Sequence, residues 1–319
     1  MREIKARSLP LTHSDVIAFD NPAPSTPSVR ALPAPAAAAC LGAEHPEAVA
    51  AMVGAGTGRI EAGLSDGATA LLDAHAAAPL HLLVPRRRGA AVWAFTSSLG
   101  GGLVAGDRVR LSVEVGPGAT LFLGTQSVAK VYRSPGPTAE QVLAAEAGDG
   151  ALLASLPDPL CCFAGARLRQ RQSFRLAPGA SLVALDALAS GRAARGERWA
   201  FSRVESRLEV WRGGALAIAD ALLLEDLPGA PLAARMGRLD AVASAVALGP
   251  RAARAAAALV AAARAADPAD GLLGSVAEVP GGVVARFGAE DRGRLAALLA
   301  RCLSPLGAEL GGDPLQRKW

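Results

Sequence analysis

Histidine and cysteine, which bind transition metals most tightly in proteins, are scarce and scattered in this sequence. There are four of each, and none falls into a C-x-x-C, H-E-x-x-H or calcium-loop pattern. His75 and His81 are six residues apart, which puts two side chains on one face of an unbroken strand, but Pro79 stands between them. The sequence therefore predicts no tight metal centre.

Covalent catalysis also lacks a visible site. The chain has no G-x-S-x-G elbow, and no serine or cysteine comes with a recognisable base and a group to orient that base. A hydrolase is kept as an alternative, which a histidine in a deep pocket near Ser127 or Cys161 would favour. The glycine-rich run 100–106 lacks the G-K-[ST] ending and leads into a strand, so it does not predict a phosphate site.

Three segments stand out for their polar, charged or glycine residues: 100–107, 125–134 and 186–199. The second contains Tyr132, the only tyrosine of the chain, and Lys130, one of three lysines in a composition dominated by arginine. Either these segments are loops with solvated charges, or they carry a functional constraint.

The elements that position these segments are predicted from a recurring turn. A turn dipeptide followed by alanine and an apolar run occurs at Gly67, Gly118, Gly150, Gly179 and Gly214. The last four glycines are 32, 29 and 35 residues apart. This spacing indicates either stacked strand–turn–strand units or the ordinary hairpins of a β-sandwich.

Alternation with a period of two supports strands over 109–115, 167–176 and 203–211. In the second of these, Gln170 and Gln172 share the face of the apolar residues. Each pattern is typical of a sheet with one wet face.

The C-terminal third changes character. Residues 239–248 predict another strand, 250–266 a helix, 272–287 a hairpin, and 289–303 a second helix. Leu295, Leu298, Leu299 and Cys302 fall on one face of that second helix. The predicted fold class is mainly β, with about two C-terminal α-helices.

Domain organisation follows from composition. Residues 1–50 are rich in proline and alanine and predict a disordered extension, whereas 51–319 predict one β-rich domain. The opening residues lead into no apolar stretch and no run is long enough to span a membrane, so we expect neither a signal peptide nor a membrane segment. The unpaired cysteine pattern favours a reduced, cytoplasmic protein.

The formal net charge is +4 and the isoelectric point is about 9.2, from arginines spread along the chain. A nucleic-acid-binding module using the arginine-rich strand 167–175 is a further alternative. That strand has Phe174 but no interleaved aromatic platform for stacking bases, so we expect no nucleic-acid partner.

Five segments, taken in order, resemble the UreD (UreH) family of urease accessory proteins. They are G-G-L-V-A-G-D at 101–107, V-G-P-G-A at 115–119, T-Q-S-V-A-K-V-Y-R-S at 125–134, the L-P-x-P run at 156–170, and D-A-L-A-S-G-R-A-A-R-G-E at 186–197. Any single segment is a weak signal, but their order and spacing together identify the chain as a member of this family.

The resemblance implies a layered, helical β fold and a scaffold rather than an enzyme. It implies binding to the accessory protein UreF, to the GTPase UreG through UreF, and to the urease apoprotein. It also implies that Ni²⁺ passes transiently through a polar tunnel, with no cofactor tightly bound.

A transit path must bind Ni²⁺ weakly, so oxygen ligands suit it better than histidine or cysteine. The candidates for this weak nickel path are Asp107, Thr125, Gln126, Asp186 and Glu197. Each could instead be a hydrogen-bonded turn residue, and Glu197 could fix a loop by pairing with Arg192 or Arg195. The motif residues assigned a structural role are Gly101, Gly102, Gly106, Lys130, Tyr132, Arg167, Gln170, Gly191, Arg192 and Gly196.

Overall fold

The structure, a computed structural model, describes residues 54–85 and 89–316, and the proline- and alanine-rich extension 1–50 lies outside them. The strands are β1 (Thr57–Ser65), β2 (Ala68–Ala76), β3 (Leu80–Leu83), β4 (Val92–Ser98), β5 (Gly102–Leu103), β6 (Arg108–Val115), β7 (Thr120–Thr125), β8 (Lys130–Val131), β9 (Ala139–Ala147), β10 (Leu152–Ser155), β11 (Leu160–Cys162), β12 (Arg167–Leu176), β13 (Ser181–Ala189), β14 (Arg203–Arg212), β15 (Ala215–Glu225), β16 (Ala241–Leu248), β17 (Leu272–Val279) and β18 (Gly282–Ala289). The helices are α1 (Leu232–Met236), α2 (Ala253–Ala265), α3 (Arg292–Leu303) and α4 (Gly307–Leu310).

The strands form two sheets that pack face to face. Sheet A has the order β15-β14-β12-β9-β6-β1-β2, and the main path of sheet B has the order β17-β18-β16-β13-β10-β7-β4-β3. A short ribbon of β5, β8 and β11 joins sheet B beside β13. The predicted β-rich fold with two longer C-terminal helices is therefore confirmed.

The centre of the protein is a stack of coils. Strands β6, β9 and β12 run parallel in sheet A, and their successors β7, β10 and β13 run parallel in sheet B. The turns at Gly118, Gly150 and Gly179 carry the chain from one sheet to the other, whereas Gly67 and Gly214 close antiparallel hairpins. The turn pattern thus marks stacked strand–turn–strand units at the first three glycines and ordinary hairpins at the other two.

Hydrogen bonds between successive turns hold the coils in register. The amide of Gly118 donates to the carbonyl of Asp149 at 2.8 Å, and the amide of Gly179 donates to Oδ1 of Asp149 at 2.9 Å. A Cβ at position 179 would lie 2.3 Å from that carboxylate oxygen. Glycine at position 179 therefore lets the two turns approach closely without displacing the Asp149 carboxylate.

Two apolar layers stabilise this arrangement. Leucine and valine side chains fill the space between sheets A and B, and a second layer lies between sheet B and helices α2 and α3. On β16, alternate alanines 241, 243, 245 and 247 face the helices, so their small side chains allow close packing. Trp93 donates from Nε1 to the carbonyl of Leu310 at 2.8 Å, which ties the C-terminal segment to sheet B.

The C-terminal predictions hold with shifted boundaries. Helix α3 starts at Arg292 instead of residue 289, because β18 continues to Ala289 and Asp291 caps the helix by accepting from the amide of Arg294 at 3.0 Å. The four residues predicted to share one face of this helix are buried. None of the helices in the part of the chain that the structure describes could cross a membrane.

Candidate functional site

A row of polar side chains crosses the apolar space between the two sheets. Gln141 on β9, Gln170 on β12 and Ser206 on β14 are directly paired in the parallel register of sheet A. Strand alternation turns all three toward sheet B, on the face that otherwise carries leucine, valine and phenylalanine. Polar side chains in an apolar interior lower stability unless hydrogen bonds replace their lost hydration. Their presence between the sheets therefore suggests a role beyond packing.

Asp186 on β13 projects from sheet B onto this row. Its Oδ1 accepts from Nε2 of Gln170 at 2.9 Å, and its Oδ2 accepts from the hydroxyl of Ser206. Burial raises the pKa of the Asp186 carboxyl, the bonds from Ser206 and Gln170 oppose that rise, and the charge of Asp220 adds to it. The carboxylate thus lies deep between the sheets, and its accessible surface faces the two cavities that it lines.

The first cavity has a volume of about 110 Å³ and extends from Asp186 toward the surface. Thr125 and Asp158 line it, and they are bonded to each other: the Asp158 amide donates to the Thr125 hydroxyl at 2.8 Å, and that hydroxyl donates to Oδ2 of Asp158 at 3.1 Å. Exposed Ser127 and Lys130 also line this cavity, so it reaches solvent beside strand β8.

The second cavity, of about 330 Å³, lies on the other side of Asp186. Asp220 of sheet A lines it and accepts from the hydroxyl of Ser244 at 2.6 Å and from Nη2 of Arg286 at 2.7 Å. Arg286 is half exposed, so this cavity approaches the surface beside β18.

Three carboxylates therefore follow one another between the sheets. Asp158 borders the first cavity, Asp186 borders both, and Asp220 borders the second. Among the residues that the structure describes, no three histidine, cysteine, aspartate or glutamate side chains come together as a metal site. Single carboxylates flanked by hydroxyl and amide groups can bind a divalent cation weakly, with water completing its coordination.

The structure brings two of the five candidate path residues, Thr125 and Asp186, to the same cavity and places the other three elsewhere. Asp107 accepts from the amide of Val104 at 2.8 Å and so closes its own turn. Gln126 is exposed beyond the end of β7. Glu197 belongs to the loop after β13, where it is paired with Arg192.

The three motif segments 100–107, 125–134 and 186–199 meet in one chain of contacts that runs through Phe163. The hydroxyl of Tyr132 donates to the carbonyl of Gly100 at 3.2 Å, and its ring meets Phe163 edge-on at 5.3 Å between centroids. The guanidinium of Arg192 lies 4.2 Å above the same Phe163 ring. Arg192 holds Glu197 through Nε at 2.9 Å and a second bond from Nη2.

This pairing anchors the loop electrostatically. The bond from Arg192 lowers the pKa of the Glu197 carboxyl, aided by the amide of Ala164, which donates at 3.2 Å. Gly191 has φ of +117°, and a Cβ there would lie 2.5 Å from the carbonyl oxygen of Glu197. The loop geometry therefore requires glycine at this position.

The remaining motif residues contribute to turns and backbone contacts. Gly101, Gly106 and Gly196 have positive φ, and a Cβ on Gly102 would lie 2.6 Å from the carbonyl oxygen of Lys130. Arg167 is exposed at the start of β12, and its amide donates to the hydroxyl of Ser134 at 3.2 Å.

Comparison with known proteins decides the family. The family model described as UreD urease accessory protein matches residues 55–319.

The chain belongs to the UreD family of urease accessory proteins.

Several curated relatives support this assignment. The urease accessory protein UreD of Anaeromyxobacter sp. (strain Fw109-5) is 45% identical over 266 residues, which is 82% of this chain and 89% of the relative. That of Sorangium cellulosum (strain So ce56) is 46% identical over 266 residues, covering 83% and 85%. Urease accessory protein D of Oryza sativa subsp. indica is 36% identical over 210 residues, covering 64% and 69%.

Within this UreD-family chain, the two alternative functions gain no support from the described residues. His75 and His81 are exposed and line neither cavity, so no described histidine faces the cavity that Ser127 lines. The arginines of β12 point away from the core, and Arg169 lies 3.3 Å from Glu140 and 3.6 Å from Glu205 on the adjacent strands. Acidic neighbours thus interrupt the basic strand.

Six polar residues of this UreD-family site were missed by sequence reasoning. One signal was present: Ser206 falls on the apolar face of the alternating segment 203–211, as Gln170 does in 167–176. The other five become neighbours only through strand register or loop contacts. The missed residues are Gln141, Asp158, Ser206, Asp220, Ser244 and Arg286.

Proposed function

We propose that this chain is a non-catalytic scaffold that conducts Ni²⁺ between its two sheets during urease activation. The observation that carries the proposal is the position of Asp186, which stands between two cavities with a further carboxylate on either side. Ni²⁺ is the cargo of this path, and no chemical step is assigned to the protein.

The energetics of Asp186 support such a role. A carboxylate buried between apolar sheets is disfavoured unless its partners compensate for lost hydration, and here burial prevails over the two hydrogen bonds. A group that lowers stability in this way is expected where function requires it. A hydrated cation arriving from either cavity would supply the missing positive charge.

The proposed partners are UreF, UreG bound through UreF, and the urease apoprotein. The two cavities approach the surface at different places, one beside Lys130 and the other beside Arg286. Two separate openings suit a component that receives a cation from one protein and delivers it to another. We place this work in the cytoplasm, where cysteines such as the free Cys161 and Cys162 stay reduced.

The test is urease activation by the Asp186→Asn variant. Asparagine keeps the shape of the side chain and removes its charge; its amide oxygen can accept from Gln170, and its Nδ2 can donate to the Ser206 hydroxyl in place of the bond that Asp186 accepts from it. Cells that co-express urease and its accessory proteins should yield urease with at least about tenfold less nickel, since one of a few charged ligands in the path is lost. The nickel content of purified urease and its specific activity are the measurements.

The matched control is Glu114→Gln, which removes a carboxylate from the outer face of sheet A, where the side chain is 54% exposed. It should leave nickel loading unchanged. Both variants should co-purify with the partner proteins in normal amounts. Normal nickel content in urease matured by Asp186→Asn would refute the proposed path.

A further inference from the structure

The second opening of the path is occupied by an ion pair that spans the two sheets. Asp220 lies on β15, the edge strand of sheet A, with its side chain only 18% exposed. Arg286 lies on β18 of sheet B, and its Nη2 donates to Oδ1 of Asp220 at 2.7 Å. Asp220 is the last carboxylate that a cation would meet on its way out of the second cavity. The Arg286 guanidinium occupies the position beside it.

Strand register connects this pair to the centre of the path. Asp186, Ser244 and Arg286 are directly paired residues on the antiparallel strands β13, β16 and β18. Ser244 bridges the row by donating to Oδ2 of Asp220 at 2.6 Å. The charge of Asp220 also acts on Asp186, so the two carboxylates interact electrostatically across the second cavity.

The surroundings explain why Asp220 needs a counter-ion. Most of the second cavity is apolar, with Leu188, Val204, Leu208 and Val242 among its walls. An unpaired carboxylate there would lose hydration without compensation. Arg286 supplies the compensating charge, and because its side chain is 51% exposed, the guanidinium has solvent to move into when it leaves Asp220.

We propose that Arg286 is a displaceable gate, which occupies the cation position at Asp220 until a divalent cation arrives and replaces it. This inference rests on the proposed function, since it assigns a role to one end of the same path. By competing for Asp220, Arg286 shortens the residence of the cation and so favours release.

The gate also discriminates by charge. When a monovalent cation replaces the guanidinium, the net charge of the cavity stays the same. The exchange therefore gives no electrostatic contribution to binding. Exchange for Ni²⁺ adds one positive charge between Asp220 and Asp186, which are both negative. Divalent cations are therefore favoured without a tight ligand set.

The test measures nickel binding to the purified full-length chain by titration calorimetry with nickel chloride. In Arg286→Gln, Asp220 loses its competitor, and the dissociation constant should fall by about fivefold, the effect of one partly exposed ion pair. The double variant with Asp220→Asn should lose this gain. Arg264→Gln is the control, because Arg264 also contacts an acid, Glu278 at 3.5 Å, but lies outside both cavities.

Thermal unfolding establishes that each variant is folded, and Arg286→Met, which keeps an apolar stem, replaces Arg286→Gln if the latter is not. An unchanged or higher dissociation constant in the Arg286 variant overturns the gate, as does a gain that survives Asp220→Asn. This failure differs from failure of the path itself: a path without a gate still needs Asp186 for urease activation, whereas normal activation by Asp186→Asn refutes the path whatever Arg286 does.

Discussion

Nε2 of Gln170 donates to Oδ1 of Asp186 at 2.9 Å, and this bond joins sheet A to sheet B in the middle of the protein. The same amide group donates to the hydroxyl of Ser206 at 3.0 Å. Gln170 thus binds the buried carboxylate directly and also orients Ser206, the other residue that donates to it. Its position on the apolar face of β12 is explained by this contact.

Asp186→Asn is expected to stabilise the nickel-free protein at neutral pH. Because the pKa of Asp186 is raised in the folded state, ionisation opposes folding. This penalty is absent below the unfolded pKa of about 3.9 and grows as the pH rises above that value. Urea unfolding should therefore show a gain of ~0.5–2 kcal/mol for the variant at pH 7 that shrinks toward pH 4. A gain that is equal at both pH values would contradict this assignment.

Glu197→Gln is expected to lower the thermal stability, with the opposite pH dependence. Arg192 lowers the pKa of Glu197, so the pair stabilises the fold above the unfolded pKa of about 4.3. That contribution disappears as the pH falls through the lower pKa of the folded state. The melting temperatures of wild type and variant should differ at pH 7 and converge in acid. Glu278→Gln, at a 74% exposed side chain, should show little difference at either pH.

Gly191→Ala is expected to destabilise the loop after β13 by about 3 kcal/mol or more, since strained backbone and a backbone clash act together. The added Cβ would lie 2.5 Å from the Glu197 carbonyl oxygen at a φ of +117°. Gly196→Ala and Gly106→Ala should cost less: the backbone φ is positive there too, 75° and 83°, but an added Cβ meets nothing within 4 Å at Gly196 and only Pro137, at an ordinary 3.5 Å, at Gly106. Soluble yield and urea unfolding are the measurements. Gly136→Ala is the control because a Cβ there meets nothing within 4 Å, and an equal loss for it would exclude the steric explanation.

Sequence reasoning identified the strands well because alternation is a local property. It placed Gln170 on the inner face of β12 and singled out Thr125 and Asp186, which line the same cavity. Asp107 and Glu197 had equally suggestive surroundings, but each is bonded within its own loop, to Val104 and Arg192.

The other half of the site depends on register. Asp220 comes from an apolar strand and Arg286 from a hairpin 66 residues further on, and only the packing of two sheets makes them partners. Nothing in the local sequence pattern around either residue specifies that the two side chains come into contact. The boundary of α3 was misplaced for a related reason: β18 competes for the residues before Asp291, and its pairing with β16 is not a local property.

The stacking of parallel coils has a consequence for how such a protein can change. Gln141, Gln170 and Ser206 occupy equivalent places on neighbouring strands, so each strand advances the polar row by about 4.8 Å. Duplicating or deleting one coil would lengthen or shorten the route by one such step while leaving its chemistry intact. In the proposed nickel path, the number of coils would set the distance between the protein that supplies the cation and the protein that receives it.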